Sequence, residues 1–173
     1  FTDSSAAPKS VTASGAVTLT TAQSKFGGAS ALFSGAGVLL VGHSDALSIG
    51  SGDFTIEFML RMSGPGMVLN KQDGGSGACP PQVMITAEGA IKFRSYGASY
   101  ENFFNITTPG GAISTGGWHH IALERVGSTF SVYVDGVLKG AVTYSRALPV
   151  NTAPFSIAGY PNPPGRLRTG PHD

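Results

Sequence analysis

The stretch that decides the fold runs from Trp118 to Val142 and reads WHHIALERVGSTFSVYVDGVLKGAV. Apolar and polar residues alternate through Trp118–Arg125, Thr129–Val134 and Val137–Val142, the period-two pattern of strands with one buried face. Two short breaks separate these runs. Val126-Gly127-Ser128 carries a glycine, and Asp135-Gly136 is the kind of dipeptide that most readily supplies the two positive φ angles of a type I′ hairpin. Together they predict a three-strand antiparallel meander.

Outward from this meander the same pattern recurs. Phe54–Met62 alternates cleanly, with Phe54, Ile56, Phe58 and Leu60 on one face and Thr55, Glu57, Met59 and Arg61 on the other. Val11–Leu19, Gly66–Lys71, Gln82–Thr86, Ala90–Arg94, Asn102–Thr107 and Pro154–Ala158 read as further strands, and Ser30–Phe33 and Val38–Val41 as a pair flanking a Gly35-Ala36-Gly37 turn. Ala87-Glu88-Gly89 is a predicted turn whose glycine can take a positive φ. Roughly ten short strands with no amphipathic helical window predict an all-β, two-sheet antiparallel sandwich and exclude a parallel α/β architecture. Long loops fall at Met62–Gly66, Gln72–Pro81 and Thr108–Gly117.

Composition agrees. The chain has 173 residues with 41% hydrophobic content, enough for the core of one domain. The 25 glycines and the low 12% of charged residues suit strands joined by tight turns. Eleven Lys and Arg against ten Asp and Glu leave a net charge of +1, so no broad field draws the protein to nucleic acid or to an acidic membrane. No apolar run approaches the ~18 residues of a membrane span. Cys79 is the single cysteine, so no internal disulfide forms and stability must come from packing.

Four segments in this order carry a resemblance: Lys25-Phe26-Gly27-Gly28-Ala29-Ser30, Asp53-Phe54-Thr55-Ile56-Glu57-Phe58, Gly117-Trp118-His119-His120-Ile121-Ala122 and Val132-Tyr133-Val134-Asp135-Gly136-Val137. Together they resemble the laminin-G-like, concanavalin A-like lectin-glucanase jelly-roll family, in the variant of phage tail and bacterial surface proteins. The resemblance implies a jelly-roll domain over residues 1–160, followed by an irregular tail over 161–173. Where the family carries its closing strand, this chain has Pro161-Asn162-Pro163-Pro164-Gly165-Arg166-Leu167-Arg168, with no strand pattern. Three explanations stand open: a fragment, an error in the sequence, or a last strand supplied by a neighbouring subunit through an open sheet edge.

Function is expected to follow from this fold. The leading reading is a non-catalytic recognition module, extracellular, at a cell surface or on a virion, that binds a glycan or a surface protein. The alternative is a self-assembling subunit of a fibre, pilus-like filament or virion, and a glycoside hydrolase is the third reading. Hydrolysis needs two carboxylates facing one cleft; none of Glu57, Glu88, Glu101 and Glu124 is spaced two or four residues from another acid on one strand face. For sugar binding, Tyr96, Tyr100, Asn102 and Asn105 combine rings that stack with amides that bond hydroxyls. Glu57 joins them as a mid-strand acid within reach of His120 or Arg125. His119 and His120 point to opposite faces of their strand and cannot share a ligand. No cofactor is required, although the resemblance allows calcium, with Asp45, Asp53 and Asp73 as oxygen donors. Asn105-Ile106-Thr107 is a glycosylation sequon, meaningful on a glycosylating secretory route.

Overall fold

The computed structural model describes residues 1–72, 78–97 and 104–159, without the side chain of Cys79. Eleven strands fold into two antiparallel sheets: β1 (Val11–Thr20), β2 (Ser30–Val41), β3 (Phe54–Arg61), β4 (Gly66–Asn70), β5 (Cys79–Ile85), β6 (Ile91–Tyr96), β7 (Phe104–Thr107), β8 (Trp118–Val126), β9 (Thr129–Val134), β10 (Val137–Thr143) and β11 (Phe155–Ile157). One sheet has the order β1-β2-β11-β4-β5-β6-β7 and the other β10-β9-β8-β3. The only helical piece among the described residues is a 3-10 turn at Asp45–Leu47. No described helix is long and apolar enough to cross a membrane.

The predicted meander is present as β8, β9 and β10. Asp135 and Gly136 take φ 51° and 76°, the two positive angles of a type I′ turn, and join β9 to β10 directly, with Val134 opposite Val137. Gly127 takes φ 57° while Ser128 stays negative, so the β8–β9 hairpin uses glycine at its first central position. Each turn matches the twist of its strands.

Three local readings differ from the sequence expectation. The predicted Gly35-Ala36-Gly37 turn is instead a bulge inside one continuous β2, and the pairing with β1 jumps from Ser14↔Val38 to Ala16↔Ser34. The glycines serve close backbone approach: a Cβ at Gly37 would stand 2.5 Å from the Ala16 carbonyl oxygen, and one at Gly15 2.7 Å from that of Ala36. β5 begins at Cys79, so Pro80 and Pro81 lie in the strand, at a break in register between Cys79 and Gln82, where a missing N–H costs least. β6 continues to Tyr96, past the expected Arg94. The expected tail over 161–173 lies outside the described residues.

Core residues come from the inner face of each sheet. Ile91, Phe93, Ile121, Leu123, Phe130 and Val132 are wholly buried, each stabilising the fold by about 1.5–3 kcal/mol. Phe104 meets Phe93 edge-on at 5.2 Å and Phe130 at 4.5 Å between ring centroids. One end is closed by Arg125, buried over the Phe130 ring, which donates from Nε to the Gly127 carbonyl and from its terminal nitrogens to those of Gly50 and Arg146. Saturating the guanidinium with carbonyls makes its burial tolerable.

Buried Lys71 is treated alike: its Nζ donates to the carbonyls of Asn151 and Ala153 and to Asn151 Oδ1, and desolvation lowers its pKa.

Gly89 locks the β5–β6 turn against the loop that leads to β8. Its φ is 72°, a Cβ there would stand 2.3 Å from the Ile113 carbonyl oxygen, and its own carbonyl accepts the Ile113 N–H at 2.9 Å. Gly89→Ala is expected to lower unfolding free energy by about 1–3 kcal/mol in urea titration. Gly64→Ala, where a Cβ would meet nothing within 4 Å, is the near-neutral control.

Candidate functional site

The β3–β8 register builds the site. Thr55 pairs with Glu124, Glu57 with Ala122, Met59 with His120 and Arg61 with Trp118, while Ala122 pairs with Tyr133 of β9. Directly opposed residues share a face, so these side chains stand together on the outer face of the four-stranded sheet, turned away from Ile121 and Leu123. The hairpin loop between β1 and β2 reaches the same place. Lys25, Phe26, Glu57, Phe58, Met59, Trp118, His120 and Asp135 line a groove of about 520 Å³.

Inside the groove His120 Nε2 lies 3.2 Å from Glu57 Oε2, the contact expected from sequence, whereas Arg125 points to the core side. Aromatic surface comes from Trp118, half-buried, and from Phe26, a residue 71% exposed on its loop. An apolar ring wall beside a fixed carboxylate and an imidazole is a surface on which a sugar can stack and donate its hydroxyls.

Asp135 holds the end of the groove. Its Oδ1 accepts the His120 backbone N–H at 2.8 Å and its Oδ2 the His119 ring at 2.8 Å. His119 Nε2 accepts the Ser114 backbone N–H at 3.2 Å and lies 2.9 Å from Ser114 Oγ. Because Nε2 accepts a backbone donor, the ring proton sits on Nδ1 and is donated to Asp135. The order Ser114, His119, Asp135 is that of a hydrolytic relay, yet here Nε2 is already occupied by a backbone N–H and the imidazole is a strut. Hydrogen bonds from the His119 ring and the His120 backbone hold the Asp135 carboxyl below its usual range.

The other expected site residues lie apart. Tyr96 is 8% exposed on β6, with the Arg94 guanidinium over its ring. Asn105 is exposed on β7, at the far edge of the seven-stranded sheet, and donates to Thr107 Oγ1 at 3.1 Å. The structure brings neither to Glu57. Tyr100, Asn102 and Asp73 lie outside the described residues. Asp53 Oδ1 accepts the Gly127 N–H at 2.7 Å, and Asp45 is fully exposed, with His43 Nε2 3.6 Å from its Oδ1. Among the described residues no three His, Cys, Asp or Glu side chains group as a metal site.

Trp118, Phe26 and Lys25 were not singled out from the sequence as ligand contacts. Their signal was there, in two of the four family-like segments, but only the cross-strand register and the β1–β2 loop bring them together. Glu124, joined by Tyr133 Oη at 3.4 Å, shares the outer face with Glu57 across the strand pair, an adjacency no single-strand spacing shows. It does not line the groove.

A family profile described as the concanavalin A-like lectin/glucanases superfamily, laminin-G type, matches residues 33–169. The chain belongs to this superfamily. Among solved structures it is similar to domains LG4-5 of the mouse laminin α1 chain, at 19% identity and TM-score 0.53, over 65% of this chain and 29% of that one. It is also similar to domain 4 of AbnA, a GH43 extracellular arabinanase from Geobacillus stearothermophilus in complex with arabinotriose, at 16% identity and TM-score 0.59, over 91% and 76%. A third is botulinum neurotoxin type C, whose cell entry depends on interaction with two ganglioside molecules, at 15% identity and TM-score 0.64, over 99% and 42%. At these identities the likeness is one of fold. The chain spans less than a third of the laminin chain and less than half of the toxin chain. No curated protein sequence matches it. The expected jelly-roll sandwich of concanavalin A type is therefore the fold of this superfamily member.

Asp135→Asn tests the clasp. A carboxyl whose folded pKa is depressed stabilises the fold above its unfolded value near 3.8, and that contribution disappears as pH falls through the folded value. The variant is expected to melt below wild type at pH 7, the gap closing as pH drops below about 3.8, followed by circular dichroism.

Proposed function

We propose that this chain is a non-catalytic glycan-recognition module that works outside the cell, attaching a larger phage-tail or bacterial-surface assembly to its target through the outer groove of the four-stranded sheet. The observation that carries the reading is the pairing of aromatic surface, Phe26 and Trp118, with the Glu57–His120 dyad in one solvent-open groove on rigid strands. Family membership, the arabinotriose complex of AbnA domain 4 and the ganglioside-dependent cell entry of botulinum neurotoxin type C support it. The dyad is a recognition pair, not an acid–base pair: Asp135, the other carboxylate of the groove, is engaged through both oxygens by the His119 ring and the His120 N–H, and Glu124 stands outside the groove. No metal is needed for the contacts described.

A glycan array followed by calorimetry tests the reading. Phe26→Ala and Trp118→Ala are expected to weaken the best-bound sugar by about tenfold each, since ring stacking supplies roughly 1–3 kcal/mol per ring, with little change in melting temperature for Phe26→Ala. Unchanged affinity in both variants would move the site elsewhere.

A second reading, assembly through sheet edges, has its own observation. Among the described residues β1 pairs only with β2 and β3 only with β8, leaving two open edges, and β1 is ten residues long with no charged side chain, an edge without the usual guard against pairing. Light scattering across a range of concentrations separates the two. A concentration-independent monomer is expected for the recognition module, and growth into filaments would favour assembly.

A further inference from the structure

We infer that the groove selects neutral, hydroxyl-rich sugars and rejects anionic ones; this rests on the glycan-recognition reading and names its ligand class. Three formally charged side chains line the groove: the carboxylates of Glu57 and Asp135 and the ammonium of Lys25. Their tethering differs. Asp135 is pinned at the β9–β10 turn through both oxygens, to the His119 ring and the His120 N–H. Glu57 stands mid-strand on β3, held at 3.2 Å by His120. Lys25 is exposed on the β1–β2 loop, two and three residues from Gly27 and Gly28, which take φ 66° and 75° in open space.

A fixed charge acts on a bound ligand at one distance, whereas a hydrated ammonium on a four-carbon stem is averaged over many positions. A carboxylate-bearing sugar seated on the groove floor therefore meets two hydrogen-bonded like charges and one opposite charge on a long stem from an exposed loop. The neighbourhood does not reverse this balance. Arg61 shares the outer face, but its Nε donates to the Gly116 carbonyl at 2.8 Å and it is not among the groove-lining residues. Glu124 adds a further carboxylate to the same sheet face. For a neutral sugar the same carboxylates are acceptors, and with Glu57 Oε2 on His120 the other oxygen of Glu57 can take a hydroxyl proton while Phe26 and Trp118 cover the apolar ring face.

The test compares a neutral oligosaccharide with its sialylated or uronic counterpart, chosen from the array as the best-bound neutral sugar, by calorimetry in ~20 mM salt. Wild type is expected to bind the neutral member at least about tenfold more tightly, the effect of roughly one unbalanced like charge near the ligand. The gap should fall below about threefold in Glu57→Gln and in ~500 mM salt, where charges are screened beyond about 4 Å. Lys25→Ala, on an exposed loop and independent of the strand, should widen it. Equal or tighter binding of the anionic member by wild type overturns charge selection while leaving glycan recognition intact. Binding of no sugar on the array overturns the recognition reading itself.

Discussion

Everything at the candidate site depends on the register between β3 and β8. Because side chains alternate across a strand, a slip of one residue would send Glu57, Met59, Trp118 and His120 to the core face and Phe58, Ile121 and Leu123 to water. Hydrophobic burial forbids that: Ile121 and Leu123 are wholly excluded from solvent, and exposing both would cost several times the contribution of any surface contact. The groove is thus the reverse side of the core. Its polar groups need supply none of the energy that places them.

The Asp135 carboxylate extends that control from the strands to the turn. A type I′ hairpin already requires positive φ at Asp135, a conformation disfavoured for most side chains but tolerated by aspartate. The same residue then closes two hydrogen bonds onto the start of β8. The backbone demand of the hairpin and the anchoring of the groove's end are met by one side chain. This also explains why His119, although adjacent to His120, takes no part in the groove: its ring is enclosed between Asp135 and the Ser114 loop, while His120 turns outward to Glu57.

The fold was legible because its signals are local. Alternation in Phe54–Met62 and Thr129–Val134, and the Asp135-Gly136 dipeptide, each specify a strand or a turn within a few residues, and the structure keeps them. The bulge at Gly15 and Gly35–Gly37 was not legible, since a glycine pair that permits close backbone approach reads the same as one that permits a turn until the partner strand is known. The groove was less legible still. Glu57 and its His120 contact follow from one amphipathic strand and its neighbour. Phe26 and Lys25, by contrast, lie more than thirty positions from Glu57, and only the length of the β1–β2 hairpin carries them there. Tyr96 is expected to face a ligand because its strand is read as ending at Arg94; two more residues of strand bury it.

The two layers are unequal, and the inequality bears on how a groove of this kind can work. Seven strands face four, and with β10 packed over β7, where Gly140 lets Ile106 approach closely, the excess of the larger sheet falls on the β1–β2 side. There Leu19, Phe26 and Leu32 are exposed, and the inward residues of β3, from Phe54 to Leu60, are only half-buried, whereas Ile121, Leu123 and Arg125 opposite them on β8 are buried. The groove sits at this thin edge, open to water along its length, so it encloses little of any ligand. Limited enclosure means limited affinity at one site, because ordering a flexible sugar offsets much of what a single stacked ring contributes. Strong attachment then requires several grooves engaged at once. A module with a sheet edge open among the described residues, at the same end of the sandwich as its groove, is suited to being held in an array, where effective concentration multiplies weak contacts without any change in the groove itself.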